Sequence, residues 1–218
     1  MSKINKKVIY VSYNHRFEPG LVQAKKTLDT KVLGQIYYIN FFYGNGTVKD
    51  IINSDWKNKG FGVLIDLGSH ILDLLNFFGI KFTSKDIEIV SLKKFESLTN
   101  DYAVISIKSN TNIIIELSNL SWKNFFKLDI IGQKGSFHNF SLCKWGTAKS
   151  VLRTRVLPSG RPDEKIYKYN MTDPTWHNEW NYFNYLIRNK SYGINKKEIE
   201  LSKNISQLIN LEKSFYDK

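Results

Sequence analysis

The chain has 218 residues and a mass of 25.4 kDa, with 42% hydrophobic and 24% charged residues. That is enough to bury the core of one domain, and too apolar for a disordered segment. Lys and Arg number 32 against 20 Asp and Glu, a net charge of +12, while the single cysteine, Cys143, excludes a disulfide framework and a multi-cysteine zinc site.

The positive charge does not mark a nucleic-acid partner. Only Arg16, Arg153, Arg155, Arg161 and Arg188 are arginines. The lysines are scattered among Asn and Ile rather than gathered on one motif, as a nucleic-acid footprint requires. The N-terminal apolar stretch, residues 8–11, is too short for a signal peptide, and no run approaches the ~20 residues of a membrane span. The expectation is a cytoplasmic protein with no membrane partner.

Residues 8–13 read as a short strand. Pro19 opens a helix carrying Leu21, Val22, Lys25 and Leu28, and Gly34 ends that unit. Residues 36–43 form a second strand, residues 44–60 a polar loop, and residues 64–78 one helix stopped by Gly79. Residues 87–92, 102–108, 112–120, 125–131, 136–142 and 149–157 are strand-like and joined by short turns, which predicts an antiparallel meander. Residues 158–174 read as a loop. Residues 176–187 and 199–216 read as amphipathic helices. The fold class expected is α+β, a mostly antiparallel open sheet with helices packed on one face.

One helix carries the candidate chemistry. At 100° per residue, Asp66, His70 and Asp73 fall in a narrow arc of residues 64–78, whose other positions are mostly Leu, Ile and Phe. An imidazole exchanges protons near neutrality, and a carboxylate one turn away orients it. The competing reading of the same stripe is a solvent-facing polar edge on a buried helix. No metal site is expected, because three ligands on one helix match no known ligand spacing. The Trp176 and Trp180 rings are expected in the core. His138 and His177 have no partner pattern and read as structural.

The motifs Tyr13-Asn14-His15-Arg16-Phe17-Glu18-Pro19, Leu33-Gly34-Gln35-Ile36, Trp56 and Gly60-Phe61-Gly62-Val63-Leu64-Ile65-Asp66-Leu67-Gly68-Ser69-His70 together resemble one family. It is the glucose–fructose oxidoreductase/inositol dehydrogenase (Gfo/Idh/MocA) family of NAD(P)-dependent sugar oxidoreductases, and the resemblance covers its C-terminal, substrate-binding half. It implies that His70 is the acid/base and Asp66 its partner. It implies that Asn14 and Arg16 line the cleft between the halves, with Trp56 also at the substrate, and that Gly60 and Gly62 let the preceding loop approach the site. Phe61 stands where the family often has a third glycine. The resemblance further implies NAD or NADP as cofactor and a homo-oligomer formed through the exposed sheet face.

The dinucleotide fold expected before Val8 is not in the sequence, and neither Gly44-x-Gly46 nor Gly60-x-Gly62 completes a glycine-rich fingerprint. Residues 1–16 are therefore expected to be the last strand of a missing Rossmann domain, and residues 17–218 the substrate and oligomerisation domain. The chain is expected to need a Rossmann half from a separate chain or further sequence, and to be inactive alone. The alternative is a non-catalytic sugar-binding or oligomerisation module left by truncation. Arg153 and Arg155 form the one Arg-dense stretch. They suit a phosphate or carboxylate, as on a nucleotide-sugar, or a turn paired with Asp163 and Glu164.

Overall fold

The computed structural model describes residues 6–217. Eight strands form one open sheet: β1 Ile36–Gly44, β2 Ile87–Lys93, β3 Tyr102–Lys108, β4 Asn112–Ser118, β5 Phe125–Gly132, β6 Gly135–Phe140, β7 Ala148–Val156 and β8 Gly160–Tyr169. Their spatial order is β2-β3-β4-β1-β5-β6-β7-β8. Every neighbouring pair is antiparallel except β1 with β4. The expected meander is thus two meanders separated by β1, with Ile39 opposite Ile113 on one side and Ile130 on the other. β1 is paired on both flanks, and its alternation of exposed Tyr38 with buried Ile39, Phe41 and Tyr43 sets one sheet face toward the core.

Helices cover that face only. They are α1 Pro19–Asp29, α2 Val48–Ile52, α3 Gly62–Asp66, α4 Gly68–Phe78, α5 Thr175–Arg188 and α6 Lys196–Tyr216. Ile71, Leu72, Leu74 and Leu75 of α4 meet Ile105, Ile115 and Leu117 of the sheet in one buried cluster, with Leu201 and Leu208 from α6. Tyr38, Asn40, Phe42 and Ile114 point to the opposite, uncovered face, as the strand period dictates. The α+β class and open sheet are as the sequence predicts.

Five local expectations are corrected. Residues 8–13 lie outside the sheet; they form a single parallel bridge, Val8 to Gly193, and Tyr10 and Ser12 donate hydroxyls to Glu179 at 2.9 and 2.5 Å. Residues 44–60 contain the short helix α2. The helix expected over residues 64–78 is two helices, interrupted at Leu67. The close approach of the sheet at Gly68 accompanies the break: a Cβ there would stand 3.1 Å from Leu117 Cδ1. Residues 158–174 hold strand β8, an exposed edge whose charged residues and Pro162 disguise it as a loop. Trp176 and Trp180 are 64% and 61% exposed rather than in the core, because α5 turns Thr175 and Glu179 inward instead.

Candidate functional site

Two histidines meet where the turn at Asn14–Phe17 crosses α4. The His15 and His70 Nδ1 atoms lie 2.9 Å apart, so one ring donates its N–H to the other. His15 is 3% exposed, and its Nε2 lies 3.4 Å from the Tyr43 hydroxyl and 3.5 Å from Lys144 Nζ. His70 sits edge-on to the Tyr13 ring at 5.4 Å and the Tyr43 ring at 6.4 Å. Its Nε2 makes no hydrogen bond among the described residues.

The electrostatics keep both imidazoles neutral. Burial pulls His70 down to about 4, and the Lys144 cation adds to the effect. Burial pulls His15 well below the usual histidine value, helped by His70 and Lys144. A neutral His70 is a free base at pH 7, the form that accepts a proton from a hydroxyl.

The three polar residues of the predicted arc have separate surroundings. Asp66, at the end of α3, lines a cavity of about 340 Å³ with Ile51, Trp56, Gly60, Phe61 and Ile65. Burial raises its carboxyl, against the pull of Lys57. Asp66 makes no hydrogen bond to His70 among the described residues; the Tyr43 hydroxyl, whose ionisation Asp66 opposes, is the group linking their surroundings. Trp56 is 75% exposed at that cavity's rim, and Phe61 occupies its lining.

Asp73 is 1% exposed and accepts the Arg16 Nε at 2.8 and 3.0 Å, with a further bond from Nη2. The arc is therefore split: Asp73 is buried, His70 is partly buried and Asp66 is exposed. Arg16 lies over the Tyr10 and Tyr13 rings and lines a separate cavity of about 250 Å³ with Phe77 and Tyr182. Asn14 is buried and donates to Thr175 Oγ1 at 3.0 Å.

Arg153 and Arg155 lie on β7. The Arg153 Nε donates to Glu164 across the hairpin at 2.7 Å, and Arg155 to the Gln133 carbonyl at 3.3 Å. Arg153 lines the uncovered sheet face with Tyr38, Asp129 and His138, whereas His70 belongs to the helical face. His138 is held by Asp129 and Ser136 at 2.6 and 2.8 Å.

Sequence reasoning missed His15 and Lys144. His15 stands inside the Tyr13–Pro19 motif, so its position was visible. Lys144 lies 129 residues away in a turn, Cys143–Trp145, with no motif of its own. That turn is fixed by Glu18, whose carboxylate accepts the Cys143 N–H at 2.7 Å and its thiol at 3.1 Å.

The glycines beside the site do not fit a dinucleotide. Gly62 has φ +57°, and a Cβ there would collide with the Asn100 carbonyl, so its close approach is to backbone. Gly44 closes against Ser121 and Gly46 against Trp122. Gly44 ends β1 and Gly46 stands before the five-residue α2, but the space beside each is filled by Ser121 or the Trp122 backbone and no third glycine follows in α2.

An open antiparallel sheet covered on one face, with an imidazole on the helix packed across it, defines the class, and similarity to known proteins gives the family. The family model described as the GFO/IDH/MocA C-terminal domain matches residues 21–138, more than half of the chain. The chain belongs to this family. Among solved structures it is similar to an oxidoreductase of Desulfitobacterium hafniense DCB-2 to which NADPH dependence is ascribed. The TM-score is 0.77 at 14% identity, over 99% of this chain and 64% of that one. It is similar to a levoglucosan dehydrogenase in complex with NADH and levoglucosan, with TM-score 0.73 and 13% identity over 97% and 66% of the two chains. A third is a point mutant of KijD10, a 3-ketoreductase from Actinomadura kijaniata, in complex with TDP-benzene and NADP. There the TM-score is 0.63 at 12% identity, over 96% and 61%. The chain thus spans just under two thirds of the length of these relatives. No helix among the described residues is long and apolar enough to cross a membrane.

Proposed function

We propose that this chain is the substrate-binding half of an NAD(P)-dependent oxidoreductase acting on a hydroxyl of a sugar or nucleotide-linked sugar. His70 takes the hydroxyl proton at Nε2. Asp66, with Trp56 and Phe61 around the neighbouring cavity, binds the sugar's other hydroxyls. The nicotinamide is held by a dinucleotide-binding half, in the same polypeptide or a separate chain, and accepts the hydride when bound. The open sheet face is the surface for self-association.

One observation carries the reading. His70 is fixed by His15 at 2.9 Å, held neutral, and keeps Nε2 without a hydrogen bond among the described residues, four residues after Asp66, which lines the neighbouring cavity. Family membership and relatives in complex with NADH and levoglucosan, or with NADP and TDP-benzene, support it.

The test is sugar-dependent reduction of NAD or NADP by the native enzyme with its dinucleotide-binding half. His70→Gln is expected to lower kcat about 10²–10⁴-fold, the usual weight of general acid–base catalysis, with KM changed much less. Unaltered kcat would refute the assignment. Loss of turnover from wild type with retained sugar binding would favour a binding module instead.

A further inference from the structure

We infer that Lys144, acting through the buried His15, sets the tautomer of His70 and receives the proton released by the substrate hydroxyl. This rests on the reading of His70 as the base. The geometry is a chain of three groups. His70 Nδ1 meets His15 Nδ1 at 2.9 Å, and His15 Nε2 meets Lys144 Nζ at 3.5 Å. His15 is 3% exposed, whereas His70 and Lys144 both keep some contact with solvent. A buried ring with one nitrogen on each of two accessible groups is a connector between them.

The donor and acceptor inventory makes the connection directional. An ammonium only donates. With Lys144 charged, His15 Nε2 must accept, so His15 carries its proton on Nδ1 and donates it to His70 Nδ1. His70 then holds its own proton on Nε2 and cannot act as a base there. With Lys144 neutral, the amine accepts the His15 Nε2 proton. His15 Nδ1 is then free to accept from His70 Nδ1–H, and His70 Nε2 presents a lone pair. Tyr43, the other group at His15 Nε2, both donates and accepts, so it is compatible with either arrangement. Lys144 decides between them.

The proton balance closes. The substrate O–H bond breaks and an N–H bond forms at His70 Nε2. The His70 Nδ1 proton passes to His15 Nδ1, and the His15 Nε2 proton passes to the Lys144 amine. Both rings end neutral in the other tautomer, and the one added charge rests on Lys144 as ammonium. The hydride that completes oxidation leaves for the nicotinamide outside these residues. The rings thus move a proton without becoming imidazolium, the state their burial disfavours. Burial also draws Lys144 below the ordinary lysine range, against Asp173, Glu18 and Cys143, which face it and favour the cation. The 3.5 Å link lies at the outer limit of hydrogen bonding, as catalytic contacts often do before substrate closes the site.

The test is imidazole ¹⁵N NMR of His15 and His70 across pH 6–10, in wild type, Lys144→Met and Lys144→Arg. In wild type His70 Nε2 is expected to pass from pyrrole-type at low pH to pyridine-type at high pH. His15 Nε2 should change in the opposite sense with the same midpoint. Lys144→Arg, always charged, should hold His70 Nε2 pyrrole-type throughout, and Lys144→Met should abolish the transition. A wild-type His70 tautomer that does not change, or a change that persists in Lys144→Met, overturns the inference. The samples contain no substrate or cofactor, so a transition seen here beside a native enzyme that turns over no sugar would refute the proposed function and leave the coupling standing. In the native enzyme, Lys144→Met should lower kcat about 10–100-fold and displace the pH profile with KM little changed, and Lys144→Arg should not rescue it. An unchanged profile would show that Lys144 takes no proton in turnover.

Discussion

Replacing Arg16 by Met should uncover the cost of a buried carboxylate. Asp73 is 1% exposed and takes three bonds from the Arg16 guanidinium, which is itself 17% exposed. Burial raises the Asp73 carboxyl more than Arg16 holds it down, and Glu198 and Glu179 push it further up. Removing one partner of such a pair costs about 3–5 kcal/mol, because the remaining charge has no compensation. The pH sign follows from the same burial. Without Arg16 the folded-state value of Asp73 rises further above its unfolded value, so the folded protein binds the proton more readily. The variant therefore regains stability as pH falls through that raised value. Urea unfolding followed by tryptophan fluorescence should show the full deficit relative to wild type at pH 8 and a smaller one at pH 5. Asp73→Leu combined with Arg16→Met should recover most of the loss, since an apolar pair of similar size dispenses with both charges. A deficit under about 1 kcal/mol at pH 8, or one independent of pH, would refute the reasoning.

Three further outcomes are expected. His70 has a folded-state value of about 4 against 6.5 unfolded, so the unfolded chain takes the proton first as pH falls. Stability is then lost between pH 6.5 and about 4, by roughly 3 kcal/mol, and that share of the loss should be absent from urea titrations of His70→Gln, in which the buried His15 still contributes its own. Gly62→Ala should lower stability by about 2 kcal/mol or more, since it combines φ +57° with a clash on Asn100. Gly60→Ala, whose Cβ finds its nearest neighbour at 3.4 Å, should leave the melting temperature within a few degrees; equal effects would contradict the account. Burial and the Glu18 carboxylate push the Cys143 thiol up to about 12, so a thiol reagent at pH 8 should label it only on unfolding. Rapid labelling of the folded protein would count against the Glu18–Cys143 contact.

The sequence exposed what repeats locally. The strand alternation of Ile36–Gly44 and the 3.6-residue stripe of Gly68–Phe78 stood out because each is set by one burial face. Strand β8 escaped notice because an edge strand exposed on both faces has no apolar period. The exposed Trp176 and Trp180 misled for the opposite reason: their residue type suggests a core, but packing chose Glu179's side of the helix. In the site, His70 and Asp66 were visible as a motif. Their separation into two environments was not, since it depends on the break at Leu67 and on Tyr43 coming from the sheet. Lys144 was invisible because a contact across 129 residues leaves no local pattern.

The most direct test of the account is turnover by the native enzyme, purified with its dinucleotide-binding half and offered a panel of sugars and nucleotide-linked sugars. Sugar-dependent formation of NADH or NADPH is expected, falling at least about 10²-fold in His70→Gln while sugar affinity stays within a few-fold. Turnover that survives His70→Gln unchanged would contradict it, because the proton would then leave by a route that does not include the imidazole pair.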